Sequence, residues 1–246
     1  MKRYFSGDLT VLYLTVNKMP DRWTQFQVSH LVKAVAGEPI ISISRLPMDL
    51  GTNLIQEGPF CYFNIYMQML RGALVATTPF VALAEDDVLY TYEHFHEFRP
   101  PTTAVSYDRS RWSLFTWDPS PIFCLRQRVN NSTLIAPREL LIEALTEWKT
   151  KYPEGCRDEL MGEVGRDIVE RRLHVTHRDM VEWYCTNAVV QLNHPTGTDT
   201  GSTRREDGRH MVKQHGQIKA VEIPHWGKAA DLVRIYDDGR SNPAQV

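Results

Sequence analysis

The chain has 246 residues, of which 42% are hydrophobic and 24% charged, and a formal net charge of −2. That balance excludes a disordered or fibrous chain, and it supplies no global pull toward nucleic acid or acidic membranes. No apolar run is long enough to span a bilayer. Lys2 and Arg3 precede an apolar stretch, but Asp8, Thr10 and Thr15 interrupt it and no small-residue cleavage site follows, so a cytoplasmic protein is expected. The four cysteines at 61, 124, 156 and 185 have neither disulfide-framework nor zinc-finger spacing.

Residues 9–16, LTVLYLTV, are apolar on both faces and read as a buried parallel strand. Asp21 is a candidate N-cap for a helix carrying Trp23, Phe26, His30, Leu31 and Ala34 at helical spacing, closed by Gly37. Residues 40–44 predict a second strand, 60–77 a helix, and 80–84 a third strand. Three strand–helix alternations imply an α/β fold with a mostly parallel sheet and helices on both faces. Ligands of such sheets bind beyond the carboxyl ends of the strands, here just after Val16 and Ala84. Residues 100–135 predict a smaller mixed region of short strands. Pro137 opens a helix through Trp148, and a second helix is expected over 158–172. Residues 1–98 then form one half of a single compact domain and 99–236 the other, with 237–246 as a disordered tail.

Directly after the third predicted strand stand Glu85, Asp86 and Asp87. Three like charges beside a low-dielectric core need a counterion, and hard oxygen ligands suit Mg²⁺ or Mn²⁺ together with substrate phosphates. An acidic triplet in a loop is usually a solvated turn; its place at a strand end favours the cation. The stretch TPFVALAEDDVLY resembles the acidic-motif strand of GT-A type glycosyltransferases, and the order of parts over residues 9–90 is similar to that family. The resemblance implies a metal-dependent enzyme that moves a sugar from a nucleotide-sugar, in the first instance a UDP-sugar, to an acceptor hydroxyl. Glu85 stands where the family prefers Asp, so either Glu85 with Asp87 or the pair Asp86–Asp87 forms the motif; Asp87 is a metal ligand in both.

The same resemblance places Thr15, Val16, Asn17, Arg22 and Arg71 at the donor, beside Glu85 and Asp86. It also implies a second metal ligand near the C-terminus, for which His194 is the candidate and His210, His215 and His225 the rivals. The Gly-, Thr- and Arg-rich stretch from 193 resembles a mobile lid whose Arg204 and Arg205 neutralise a diphosphate. Glu163, with Asp158 behind it, is the implied catalytic base, provided the reaction inverts configuration. Trp112, Trp117, Asp118 and Arg126 fit an acceptor platform. With Arg109, Arg111 and Arg128 they leave open a second acceptor, a hydroxymethylpyrimidine in DNA, as in viral DNA glycosyltransferases. A nucleotidyltransferase is less favoured, because LTVNKMPDRW contains no Gly-rich phosphate loop, and a non-catalytic nucleotide-binding module is a further alternative. Neither a membrane nor an obligate protein partner is expected.

Overall fold

The computed structural model describes residues 4–194 and 218–238. Its centre is a seven-stranded sheet. β1 (Leu9–Thr15), β2 (Ile40–Ser44), β3 (Thr52–Ile55) and β4 (Phe80–Glu85) form its parallel half, in the order β4-β1-β2-β3. β9 (Leu134–Pro137) pairs antiparallel with both β4 and β6 (Ala104–Asp108), and β10 (Asp179–Trp183) runs parallel to β6 at the far edge. β9 alone therefore runs against the rest of this sheet.

Helices cover both faces because strand side chains alternate. Leu12 and Leu14 of β1, with Ile41, Ile43, Val81 and Leu83, face α2 (Tyr62–Val75), α4 (Arg138–Lys151) and α5 (Asp167–Leu173). Leu9, Val11 and Tyr13 face the other way, onto Leu31, Ala34 and Val35 of α1 (Asp21–Val35) and Phe95 of α3 (Tyr92–His96). Trp148 of α4 is fully buried in the first core, its ring centroid 4.9 Å from that of Tyr66. Replacing it with alanine is expected to cost about 3–5 kcal/mol, read as a lower urea midpoint at unchanged slope.

A second, five-stranded sheet has the order β12-β8-β7-β11-β5. It comprises β5 (Val88–Leu89), β7 (Arg111–Phe115), β8 (Phe123–Leu125), β11 (Val189–Asn193) and β12 (Lys219–Ala220). One face, with Leu114, Val190 and Leu192, packs under α6 (Ala229–Asp238) together with Trp23. The other is left to line a cleft. A short ribbon of β13 (Glu222–Ile223) and β14 (Gly227–Lys228) leads into α6.

Several expectations are revised. β3 is an added edge strand, too short and too exposed to show a pattern. Pro20 occupies the N-cap position of α1; Asp21 is the first helical residue, where its charge suits the helix dipole. Pro137 ends β9, and α4 begins at Arg138. The helix expected over 158–172 is a single 3-10 turn at Asp158–Leu160, then a loop, then α5 from Asp167. Gly165 sits at φ +82, where a Cβ would meet Val105 at 2.9 Å, so the chain turns there instead of continuing a helix. Asp237 and Asp238 close α6, and the remainder of the expected tail lies outside the described residues. No helix among the described residues is long and apolar enough to cross a membrane.

Candidate active site

The acidic triplet is the link between the two sheets. β4 ends at Glu85 in the first sheet, and β5 begins at Val88 in the second. β5 pairs antiparallel with β11 in the register Gln191↔Val88, and the Leu192 amide donates to the Asp87 carbonyl at 2.7 Å. The end of β11 is thereby drawn to the triplet, leaving His194 Nε2 4.0 Å from Asp87 Oδ2.

Groups beneath the turn hold its backbone. Trp23 Nε1 donates to the Asp86 carbonyl at 2.9 Å, and Gln27 Nε2 donates to the carbonyls of Glu85 and Val88. The Glu85 amide donates to Tyr90 Oη, which itself donates to the Ser132 carbonyl. With these carbonyls satisfied from below, the three half-buried carboxylates carry the unbalanced charge. Thr15 Oγ1 donates to Asp86 Oδ2 at 2.5 Å and Gln191 Nε2 to Asp87 Oδ2 at 3.4 Å; Asp87 Oδ1 is buried without a hydrogen-bond partner. Burial raises all three carboxyls. Glu85 is pushed up to about 7, with Asp86 adding to the burial, and Asp86 to about 6 despite the Thr15 bond. Asp87 is raised well above the usual range by burial and then by Glu85 and Asp86.

These features fit a divalent cation. A cation removes the repulsion, and Asp87 Oδ1 has an empty acceptor direction. Among the described residues no group of three or more His, Cys, Asp or Glu side chains is arranged to enclose a metal. A two-residue set, Asp87 with His194, instead suits Mg²⁺ or Mn²⁺, which take one or two carboxylates and complete their shell with water and phosphate oxygens.

Two clefts meet at this turn. The first, with about 730 Å³ of free space partly open to solvent, lies over the carboxyl ends of β1, β2 and β4. Thr15, Val16, Arg45, Gln56 and Phe60 line it, together with all three acids and His194, and the Lys18 ammonium lies 4.4 Å above the Phe60 ring. The second, about 1410 Å³, has the open face of the five-stranded sheet as its floor, with Arg111, Ser113, Gln191, Asn193 and Arg126. Trp117, Arg128, Asp158 and Glu163 stand on its walls. Glu85, Asp87 and His194 belong to both clefts.

Glu163 is buried on the loop between the 3-10 turn and α5, not on a helix. It accepts from Arg166 Nη1 at 2.6 Å, with Arg128 Nη2 3.5 Å away. Asp158 is exposed at the rim and accepts the Tyr62 amide at the start of α2.

Other expected site residues lie elsewhere. Arg22 is exposed and pairs with Asp238 of α6 at 2.8 Å. Arg71 donates to the Ile55 carbonyl and to Gln68 and Glu57, bracing the loop after β3. Asn17 has φ +57, and its side chain accepts the Leu46 amide, shaping the rim without lining the cleft. Trp112 lies on the α6 face of β7, because it alternates with Arg111 and Ser113. Asp118 accepts the Ser120 amide in the turn after β7, outside both sets of lining residues. His225 is exposed beside Trp226. Arg204, Arg205, His210, His215 and the expected lid beyond His194 lie outside the described residues.

The sequence reading missed Gln191, Arg45, Gln56 and Phe60, and undervalued Arg111. Arg111 is buried; it donates to Gln191 Oε1 and to the Arg128 carbonyl, and Gln191 in turn donates to Asp87. The period-2 pattern of β7 and β11 contains this information, but only once their shared register is known.

No protein-family model and no curated protein matches the chain. Solved structures with a similar chain path include the apo form of the glycosyltransferase GlyE of Streptococcus pneumoniae, at 11% identity and TM-score 0.42, covering 70% of this chain and 44% of that one. The mannosyltransferase PcManGT of Pyrobaculum calidifontis, solved with GDP-Man and Mn²⁺, aligns at 13% identity and TM-score 0.42 over 86% of this chain and 64% of that one. The bifunctional IspDF of Campylobacter jejuni aligns at 7% identity and TM-score 0.36 over 84% of this chain and 52% of that one. The chain thus spans about half the length of the first of these structures. Likenesses this distant leave the functional reading to the geometry of the clefts.

Proposed function

We propose that the chain is a metal-dependent glycosyltransferase that moves a sugar from a nucleotide-sugar, a UDP-sugar being the first to test, to an acceptor hydroxyl. The observation that carries this reading is the meeting of two separate clefts at one carboxylate–imidazole pair, Asp87 and His194. A two-substrate transfer needs this arrangement: one site for each substrate, with the bond to be broken at their junction.

In this reading the nucleotide occupies the first cleft against Thr15, Val16 and Phe60, and its diphosphate points to Asp87. Asp87 and His194 hold Mn²⁺ or Mg²⁺, which when bound neutralises charge growing on the leaving diphosphate. Thr15 and Gln191 orient the neighbouring carboxylates by donating to one oxygen of each. The acceptor lies in the second cleft, with Trp117 as an apolar wall and Glu163 as the base that takes the hydroxyl proton. Arg166 and Arg128 keep the Glu163 carboxylate in one orientation.

No observation favours DNA as the acceptor. Arg109 pairs with Glu182, Arg111 is buried on neutral oxygens, and Trp112 faces the wrong core to receive an extruded base. The test of the main reading is thermal shift with UDP- and GDP-sugars, with and without Mn²⁺. A ligand at a hundredfold its Kd is expected to raise Tm by roughly 5–10 °C, and only when cation and nucleotide are both present. Stabilisation that ignores the metal, or none with any nucleotide-sugar, sinks the reading.

A further inference from the structure

Glu163 stands on an irregular loop, and that loop is fastened on either side of it by two phenol groups. Tyr66 Oη, on α2, donates to the Gly162 carbonyl at 2.6 Å, and Tyr107 Oη, on β6, donates to the Val164 carbonyl at 2.9 Å. Between them the Glu163 carbonyl accepts the Arg166 amide at 3.3 Å, and the Gly165 amide donates to Glu170 Oε1 at 2.8 Å. Packing below is close as well: a Cβ at Gly162 would meet Val169 Cγ2 of α5 at 2.5 Å.

Connecting loops are ordinarily mobile and satisfied by water. Here both phenols are fully buried. Burial, and after it the Glu163 carboxylate, raises both well above their usual range, so each keeps its proton to donate. The Tyr66 hydroxyl is occupied twice, because it also accepts from Asn131 Nδ2 at 2.8 Å. Tyr107 lines neither cleft. Neither hydroxyl is placed to touch an acceptor; what both touch is the backbone that carries Glu163.

We propose that Tyr66 and Tyr107 are positioning residues, which clamp the carbonyls on either side of Glu163 and so aim its carboxylate into the second cleft. The proposal rests on the reading of Glu163 as the base. A base must meet its proton in one geometry, and a loop with two glycines supplies that geometry only if its backbone is held.

The experiment measures release of nucleoside diphosphate from UDP-glucose, UDP-galactose and GDP-mannose in Mn²⁺, with water or methyl β-D-glucoside as acceptor. Wild type, Tyr66→Phe and Tyr107→Phe are compared, each also combined with Glu163→Gln. Tyr152→Phe is the control: its hydroxyl donates to the Leu173 carbonyl at 2.8 Å, and Tyr152 lines neither cleft. Each clamp variant is expected to lower kcat about 10- to 100-fold, the scale of a catalytic group displaced by about an ångström, with the donor KM unchanged within about twofold. In the Glu163→Gln background the same changes are expected to lower kcat by no more than about twofold, because a group that acts through Glu163 has nothing left to aim. Tyr152→Phe is expected to stay within about twofold in both backgrounds. Equal losses in both backgrounds, as a merely structural bond would give, or no loss at all, overturn the proposal. Normal turnover in Glu163→Gln overturns it together with the base assignment while transfer itself stands. A wild type that cleaves none of the three donors overturns the transfer reading, and the proposal with it. Tyr66 and Tyr107 lie on separate elements, so one folded variant decides; if neither folds, Asn131→Ala, which removes the donor to Tyr66, is measured in the same way.

Discussion

Asp87→Asn is expected to abolish Mn²⁺-dependent sugar transfer, a loss of about 10³-fold or more, while leaving the fold intact. Asparagine keeps the shape of the side chain, and the bond from the Leu192 amide to the residue 87 carbonyl is a backbone contact that the change does not touch. What disappears is a carboxyl group whose ionised form is disfavoured by burial and by the neighbouring Glu85 and Asp86. Without metal, the variant is therefore expected to melt at or above the wild-type temperature, and added Mn²⁺ with nucleotide is expected to stabilise it no further. Damage to the turn would lower the melting temperature together with activity. Near-normal turnover in Mn²⁺ would remove Asp87 from the cation site.

Glu163→Gln is expected to slow transfer about 10²–10⁴-fold, the usual contribution of a positioned general base. Glutamine can still accept from Arg166, so the loop between the 3-10 turn and α5 keeps its place. Glu163 lines only the second cleft, and stabilisation by nucleotide and Mn²⁺ is expected to persist. The two variants thus separate donor binding from proton removal. Turnover within about threefold of wild type would argue against Glu163 as base and for a retaining reaction, in which the side chain has no proton to take.

Much of the parallel half was legible in the sequence. β1, β2 and β4 are short, rich in apolar residues and separated by helical stretches of regular period, so local pattern and tertiary role coincide. The acidic triplet could be read for the same reason, since it follows a strand whose end is visible. The second half was legible only in its ingredients. β7, β8 and β11 are too short for their alternation to say which residues face the cleft; Trp112 and Arg111 are neighbours in sequence and lie on opposite sides of the sheet. Arg22 and Arg71 looked free because their partners, Asp238 and the loop after β3, are distant in sequence or irregular in structure. Glu163 was expected on the helix over 158–172; the positive φ of Gly165 decides otherwise.

The pairing of β5 with β11 has a consequence for the order in which the protein acquires its properties. Gln191 meets Asp87 across 104 positions of chain, and His194 lies further still. The acidic turn can form with the first four strands, but it becomes a two-ligand site only after β11 has docked on β5. Cation affinity at Asp87 and His194 would then be a late event of folding, governed by closure of a long loop. By linkage, the energy of binding a cation there would go chiefly into that closure. A cation held by Asp87 and His194 would therefore tie the second sheet to the first, and its removal would be felt first as loosening of β11, while the parallel half stays intact.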